Sequence, residues 1–330
     1  MISPAALLVF VVCTLLAAPL RAQGLNMQLE ISPSIDLLRP HAGPFGVSVL
    51  VTGVDGKLVE NGWADIHLDA PKPGLFFSTD IPQVEGTRLV EMRLPIEHGK
   101  VAWQYAWPIR GEYRLAVAAT AAGGKTASKT FTVAVGESAT KWLTLGGFGL
   151  GLFMFGFIAG RVFTAPTASA GSLVLALVLS GTALSSDVAQ GSQAREKPVQ
   201  ATLSIEPAVV GKPSRIVWRL NDRAGAASQG LRLSLAITQL EENQTVFAIE
   251  KLAVAGDFAL NFQFVDGSEH RLVAVAELPG QAPIRTEQRV LVTAVEPPTA
   301  KALTPITLFL GVIALGLGVG RWSKLRMTTR

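Results

Sequence analysis

The sequence predicts a mainly β protein in which two antiparallel β-sandwiches follow one another in tandem, joined and anchored by transmembrane α-helices. The chain is too apolar to be soluble throughout, because 49% of its residues are hydrophobic and only 16% are charged, against about 25% charged residues in soluble domains. An apolar block bounded by cations occurs twice, at 141–161 and 301–321. The two long regions outside these blocks alternate apolar and polar residues with a period of two, which is typical of half-buried strands.

The N-terminal segment, residues 1–22, is predicted to be a secretory signal peptide. Its apolar core, 5–18, is followed by small residues that permit cleavage after Ala22. Because no Lys or Arg precedes the core, a retained membrane anchor is the alternative. The single cysteine, Cys13, lies inside this segment, so a cleaved chain would contain no disulfide bond.

The first folded region, 25–136, consists of short alternating stretches separated by turn residues. In "VAWQYAW" the residues Val101, Trp103, Tyr105 and Trp107 share one face of a strand. We expect this face to be buried. A region of about this length built from short strands predicts an antiparallel β-sandwich.

Transmembrane helices are predicted at 142–161 and 302–320. The nineteen uncharged residues between Lys141 and Arg161 span roughly 28 Å at a helical rise, close to the ~30 Å hydrocarbon core of a bilayer. A shorter apolar stretch, 171–186, occupies the place in the second half that the N-terminal segment occupies in the first. Each half therefore consists of an apolar segment, a folded region and an apolar helix, and 171–186 is predicted to be a third crossing.

The second folded region, 199–295, repeats these patterns. "LEISP" opens the first region and "LSIEP" opens the second. "FALNFQF" places four apolar residues on one strand face, and Asp266-Gly267 after it predicts a hairpin-type turn. A second β-sandwich is therefore expected.

The C-terminal segment, 321–330, carries four cations and no acid, so we expect it to be a cytoplasmic tail. With three crossings, both sandwiches then lie on the other side. The predicted location is an inner membrane, crossed several times, with both folded regions on the periplasmic or extracytoplasmic side.

The stretch "GEYRLAV", 111–117, resembles the penultimate strand of immunoglobulin and fibronectin type III domains, in which a tyrosine hydroxyl caps the edge of the sandwich. Tyr113 has this position in the first half, and His270 in "SEHRLVAV" has it in the second. The resemblance implies immunoglobulin-like sandwiches. The stretch "VTGVDGKLVENGWADIHLDAP" is similar to bacterial YtkA-like extracytoplasmic domains.

The candidate metal ligands are Asp65, His67 and Asp69, which share one strand face in "DIHLD". Residues two apart on a strand lie about 6.6 Å from each other, and the two aspartates about 13 Å. A single metal ion is poorly matched to that spacing, and a solvated sheet face is the favoured interpretation. No cofactor and no catalytic residue is predicted.

Small-xxx-small pairs in the apolar blocks are candidate helix-packing sites, because small residues let two helix backbones approach closely. The alternative is the ordinary enrichment of glycine in transmembrane helices. The candidates are Gly147, Gly151, Gly156, Gly160, Gly316 and Gly320.

The predicted function is that of a non-catalytic, membrane-anchored protein whose duplicated β-sandwiches bind another protein or assemble a membrane complex. The expected partners are the lipid bilayer and another membrane or periplasmic protein, or a second copy through the glycine-rich helices. Nucleic acid is excluded because the cations are scattered along the chain. The alternative, implied by the YtkA-like resemblance, is a periplasmic copper-handling or respiratory-oxidase assembly factor with Met27, Met92 and His67 as ligands.

Overall fold

A computed structural model describes residues 24–74, 78–163, 200–221, 230–296 and 299–328. The predicted signal peptide and the predicted crossing at 171–186 lie outside the described residues. The first half contains β1 (Leu25–Ser32), a short 3-10 helix (Ile35–Leu37), β2 (Pro44–Gly53), β3 (Asn61–Asp69), β4 (Arg88–Glu97), β5 (Lys100–Ala106), β6 (Gly111–Ala121), β7 (Thr126–Val135) and helix α1 (Ala139–Val162). The second half contains β8 (Gln200–Ile205), β9 (Pro213–Asn221), β10 (Arg232–Gln239), β11 (Gln244–Ala253), β12 (Phe258–Gln263), β13 (Glu269–Glu277), β14 (Ile284–Leu291) and helix α2 (Thr299–Thr328).

The prediction of a mainly β protein with antiparallel sheet and two apolar helices is confirmed. Strand β5 shows why this sequence forms strands: Val101, Trp103 and Tyr105 are buried, while Ala102 and Gln104 between them are not. Alternate side chains of a strand point to opposite faces, so a period of two buries one face and exposes the other.

The strands form two seven-stranded layers, each shared between the two halves. Sheet I has the order β1-β2-β5-β11-β10-β13-β14, and sheet II has the order β7-β6-β3-β4-β12-β9-β8. The two sheets are linked at the β4–β5 hairpin by the pair Glu97 and Lys100. Their inner faces contribute to one continuous buried apolar cluster. Strands of the two halves therefore pair with each other, which the sequence patterns do not indicate.

The pairing between the halves is reciprocal. In sheet I, Tyr105 lies opposite Phe247. In sheet II, Val90 lies opposite Phe262. Phe247 comes 157 positions after Val90, and Phe262 comes 157 positions after Tyr105. Each half therefore uses the same two strand edges toward the other, as the subunits of a two-fold symmetric dimer do.

The hairpin predicted at Asp266-Gly267 is wrong. The strand before it, β12, pairs with β9 and β4 in sheet II, and the strand after it, β13, pairs with β10 and β14 in sheet I. The connection therefore crosses from one layer to the other. A Cβ at Gly267 would lie 2.9 Å from the Cα of Ala294, so the glycine serves a close backbone approach rather than a hairpin turn.

Each helix begins shortly after the last strand of its half. Ser138 caps α1, since its hydroxyl oxygen accepts a hydrogen bond from the backbone N–H of Lys141 at 3.4 Å. Two 24-residue segments, Ala139–Val162 and Leu303–Arg326, are long and apolar enough to cross a membrane, with mean hydropathies of 1.8 and 2.0. Most of their large apolar side chains are exposed outside the contact between the two helices.

Candidate functional site

Two glycines of α1 bring its backbone against the backbone of α2. A Cβ at Gly156 would collide with the carbonyl oxygen of Ile313, and a Cβ at Gly160 would collide with that of Leu317. Both glycines are buried in the contact. Any larger residue would push the two helices apart, because the obstructing atoms belong to the backbone and cannot rotate away.

Two glycines of α2 make the matching contacts. A Cβ at Gly316 would collide with the carbonyl oxygen of Phe153, and a Cβ at Gly320 with that of Phe157. Gly316 lies 160 positions after Gly156, and Gly320 lies 160 positions after Gly160. The helix contact is therefore reciprocal, as is the pairing of the strands.

The two helices run in the same direction. In the first half of each helix, the rings of Phe148 and Phe309 meet edge to face with centroids 5.4 Å apart. Near their last turns, Nζ of Lys324 donates a hydrogen bond to the carbonyl oxygen of Arg161 at 3.1 Å. The N-terminal halves of the two helices contact each other, and so do their C-terminal ends. Both helices therefore leave the β-sheets on the same side.

Two of the six candidate glycines lie outside this contact. A Cβ at Gly147 or Gly151 would meet no atom within 4 Å. The structure therefore brings together Gly156, Gly160, Gly316 and Gly320 and leaves the other two on an open face of α1. The four-residue spacing of glycines in the sequence does not distinguish Gly147 and Gly151 from Gly156 and Gly160. The difference depends on which face of α1 packs against α2.

The two candidate aspartates lie on the outer face of β3, where cations of β4 face them. Arg93 Nε lies 3.6 Å from Asp65 Oδ1, and Arg88 Nε lies 2.9 Å from Asp69 Oδ1. The hydrogen bond to Asp69 raises the pKa of the Arg88 guanidinium above its ordinary value. These are exposed cross-strand ion pairs, which contribute about 0.2–1 kcal/mol each.

The candidate imidazole, His67, lies between the two aspartates on the same face. Its Nδ1 is 3.7 Å from Glu91 Oε1 of β4. Among the described residues, no group of three or more His, Cys, Asp or Glu side chains is placed to hold a metal ion. The soft ligands of the copper alternative do not join it, because Met27 and Met92 are buried in the apolar core.

The sandwich-edge positions hold different side chains in the two halves. The Tyr113 hydroxyl donates to the carbonyl oxygen of Ile109 at 2.6 Å and accepts from the Ile109 N–H at 2.9 Å. Burial raises the pKa of this hydroxyl well above its ordinary value. His270 is also buried, with Nδ1 3.2 Å from the Ser268 carbonyl oxygen and Nε2 3.5 Å from Asp266 Oδ1. Burial lowers the pKa of its imidazole.

Polar contacts across the junction between the halves were missed by sequence reasoning. Gln263 Nε2 donates to Thr87 Oγ1 at 2.8 Å, and Gln104 Nε2 donates to Glu250 Oε1 at 3.0 Å. Glu97 accepts a hydrogen bond from the backbone N–H of Ala253. The partners are 146 to 176 positions apart in sequence, and no local signal in the chain connects them.

Comparison with known proteins adds no family. No family model matches the chain, and no curated protein sequence matches it. The YtkA-like resemblance therefore has no support from a sequence match.

Several solved structures align with the chain at very low similarity. Red sea bream transglutaminase aligns at 10% identity and a TM-score of 0.21, over 81% of this chain and 31% of that one. The native conformation of E. coli alpha-2-macroglobulin aligns at 12% identity and a TM-score of 0.26, over 84% of this chain and 17% of that one. Murine CRIg aligns at 11% identity and a TM-score of 0.21, over 29% of this chain and 99% of that one. Likeness at this level carries no argument about what the chain does.

Proposed function

We propose that this chain is a non-catalytic, multi-pass protein of an inner membrane that binds another protein or assembles a membrane complex through two extracytoplasmic, immunoglobulin-like modules. The observation that supports this most directly is the parallel pair of apolar helices, which pack against each other at four glycines. The two β halves from which the helices extend also pair with each other, through β5 with β11 and β4 with β12. This arrangement supports a membrane anchor made of two helices for the joined β halves.

The strand arrangement supports immunoglobulin-like modules. The first half contributes β1, β2 and β5 to sheet I, and β3, β4, β6 and β7 to sheet II. The second half makes the same division in the opposite sense, with three strands in sheet II and four in sheet I. Seven strands divided between two facing antiparallel layers characterise immunoglobulin-like sandwiches.

The direction of the helices supports an even number of crossings between the two modules: α1 and one return crossing before β8. Helix α1 runs away from the sheets and ends at Val162, whereas β8 begins at Gln200 back among the strands. If α1 crosses a bilayer, the chain has to cross it again before Gln200. The apolar stretch at 171–186 is the segment that we propose for this return.

The side chains of the described ranges support binding rather than a reaction. The pKa shifts of tyrosine and histidine follow from burial, and that of Arg88 follows from an ion pair. The outer face of β3 instead presents Trp63, which is 42% exposed. The Arg93 guanidinium lies 5.3 Å from the centroid of its ring. Exposed Trp and Arg side chains are enriched where proteins bind one another.

The experiment is quantitative mass spectrometry of proteins that co-purify with the tagged full chain from its own membranes. We expect a partner in fixed ratio to the chain, and we expect its recovery to fall at least tenfold in Trp63→Ala, the loss typical of an interface anchor. Val54→Ala is the matched control, since Val54 is 80% exposed in the turn after β2, on no proposed binding face. Absence of any partner in fixed ratio, or equal losses in both variants, would contradict the proposal.

The copper alternative is tested separately by titrating the purified full chain with copper. Met92 and His67 lie on opposite faces of sheet II, and Met27 is buried in the core. Since the three side chains cannot meet at one metal ion, we expect no copper binding tighter than about micromolar. Tighter binding that His67→Ala removes would restore this alternative.

A further inference from the structure

A groove of about 610 Å³ opens at the end of sheet II where α1 begins. Three parts of the described chain line it: residues 71–74 and Thr79 after β3, residues 110–114 at the start of β6, and the end of β7 with the first turn of α1. Its charged and aromatic lining residues are Lys72, Arg110, Glu112, Arg114, Glu137 and Trp142.

One wall of the groove is fixed by contacts around Glu137. Arg110 Nη1 lies 3.5 Å from Glu137 Oε2, and the Arg110 guanidinium lies 5.2 Å from the ring centroid of Trp142. Lys141 Nζ lies 3.2 Å from the same carboxylate oxygen and 2.7 Å from Asp80 Oδ2. These contacts hold the first turn of α1 against the sheet, so the groove is preorganised.

The opposite wall carries two cations, Lys72 and Arg114, beside two acids, Glu112 and Asp69, of which Asp69 already pairs with Arg88. Lys72 and Arg114 are exposed, and neither has an ion-pair partner among the described residues. A second groove of about 390 Å³ adjoins the first and is lined by both cations as well. Glu112 is the acid closest in sequence to Arg114 and lines both grooves. It is the one lining group that opposes an anion there without already holding a cation.

The groove lies at the level of a membrane surface if α1 crosses a bilayer, as proposed above. Trp142 is half-exposed in the first turn of α1 and is the first residue of the uncharged stretch. Tryptophan is enriched at the boundary between the hydrocarbon core and water. The groove is therefore at the depth of the phospholipid headgroups.

We infer that this groove binds the phosphate of an anionic phospholipid from the bilayer that α1 enters. Arg and Lys side chains donate charge-assisted hydrogen bonds to phosphate oxygens, and each cation near an anionic membrane surface strengthens the attraction. Lys72 and Arg114 are the cations available for the phosphate, while Arg110 is held at the rim by Trp142 and Glu137. The inference rests on the proposed membrane anchoring.

The test is native mass spectrometry of the detergent-solubilised full chain, titrated with phosphatidylglycerol or with phosphatidylcholine. We expect a saturable phosphatidylglycerol adduct, which Lys72→Gln and Arg114→Gln each weaken about fivefold. Glu112→Gln should tighten it by a similar factor, a gain that misfolding cannot produce. The matched control is Lys125→Gln in the β6–β7 turn, at the opposite end of sheet II, where the loss of one charge should change nothing.

Three outcomes would overturn the inference. The first is equal binding of both lipids, and the second is an effect of Lys125→Gln equal to that of Arg114→Gln. The third is full displacement of the lipid by inorganic phosphate, which would identify a site for the free anion. Recovery of the chain from membranes without detergent would refute the proposed anchoring itself. The lipid titration tests the groove, so failure of the anchoring and failure of the lipid site give different results.

Discussion

At the scale of single residues, Tyr113 and His270 fill equivalent places with different chemistry. His270 comes 157 positions after Tyr113, and Phe264 comes 157 positions after Trp107. Tyr113 meets the Trp107 ring edge to face at 4.8 Å, and His270 meets Phe264 in the same way at 4.9 Å. The aromatic packing is thus retained, while the hydrogen bonds that hold the edge differ between the halves.

We expect Tyr113→Phe to lower the free energy of unfolding by about 1–3 kcal/mol, because it leaves a buried backbone N–H and C=O of Ile109 without their partner. Tyr105→Phe is the matched control, since the Tyr105 hydroxyl has no hydrogen-bond partner among the described residues. That change should cost less than about 0.5 kcal/mol. Thermal unfolding of the full chain in detergent measures both, and equal losses would show that the Tyr113 hydroxyl contributes nothing specific.

His270 should make the protein less stable as the pH falls below about 6.5, the ordinary pKa of histidine. Burial lowers the pKa of the folded imidazole despite the opposing charges of Asp266 and Glu241, so the unfolded chain takes up the proton first. The stability that neutral His270 provides is complete above about pH 6.5 and decreases toward the lower folded pKa. His270→Tyr should remove this dependence, and His98→Asn in the exposed β4–β5 turn should not. The thermal unfolding midpoint, measured between pH 7.5 and 5.5, tests this prediction. If the midpoint of His270→Tyr falls with pH as steeply as that of the unchanged chain, the prediction is wrong.

The buried anchors are predictable from the sequence, whereas the polar contacts around them are not. The sequence predicts that Trp103 and Tyr113 are anchors, and they are 3% and 0% exposed. Their alternation with polar residues is a local signal. The role of Asp266, which accepts a hydrogen bond from Ser268 at 2.7 Å and one from Gln239, depends on strands brought together only by the fold.

At the scale of elements, the glycine contact between the helices is open to a direct test. Gly156→Leu should abolish the close pairing, because its side chain would occupy the position of the Ile313 carbonyl. Gly147→Leu is the matched control, since a Cβ there meets nothing within 4 Å. Oxidation of a Phe148→Cys, Phe309→Cys pair reports the contact, and Cys13→Ser removes the single natural thiol. We expect the cross-link yield to fall at least fivefold with Gly156→Leu; an equal yield in both variants would contradict the packing.

The strands and helices were predictable because their patterns are local, whereas the joining of the halves was not. Period-two alternation marks β5 and β12, and the length of the uncharged blocks marks both helices. An edge strand that pairs with a distant strand carries the same alternation as one that faces water. The sequence therefore indicates which face of β4 is buried, but it does not indicate that the edge of β4 meets β12.

At the scale of the whole molecule, the parallel helices bear on topology. Reporter fusions that fluoresce only in the cytoplasm, placed after Thr167, Gly230 and Arg330, should read inside, outside and inside. The basic tail favours the cytoplasmic side, and two parallel crossings require a return between them. A fluorescent fusion after Gly230 would place the second module in the cytoplasm and would be incompatible with both helices crossing in parallel.

The reciprocal joining of the halves has a consequence for stoichiometry. A homodimer built in this way would separate on dilution, and every site on it would occur twice. Here both copies belong to one chain, so dilution cannot separate them without unfolding, and a substitution in one half is not repeated in the other. The copies already differ, since Tyr113 in the first half is replaced by His270 at the equivalent position of the second. A partner that recognises a feature of one half will therefore bind one molecule per chain, with no second site to compete for it.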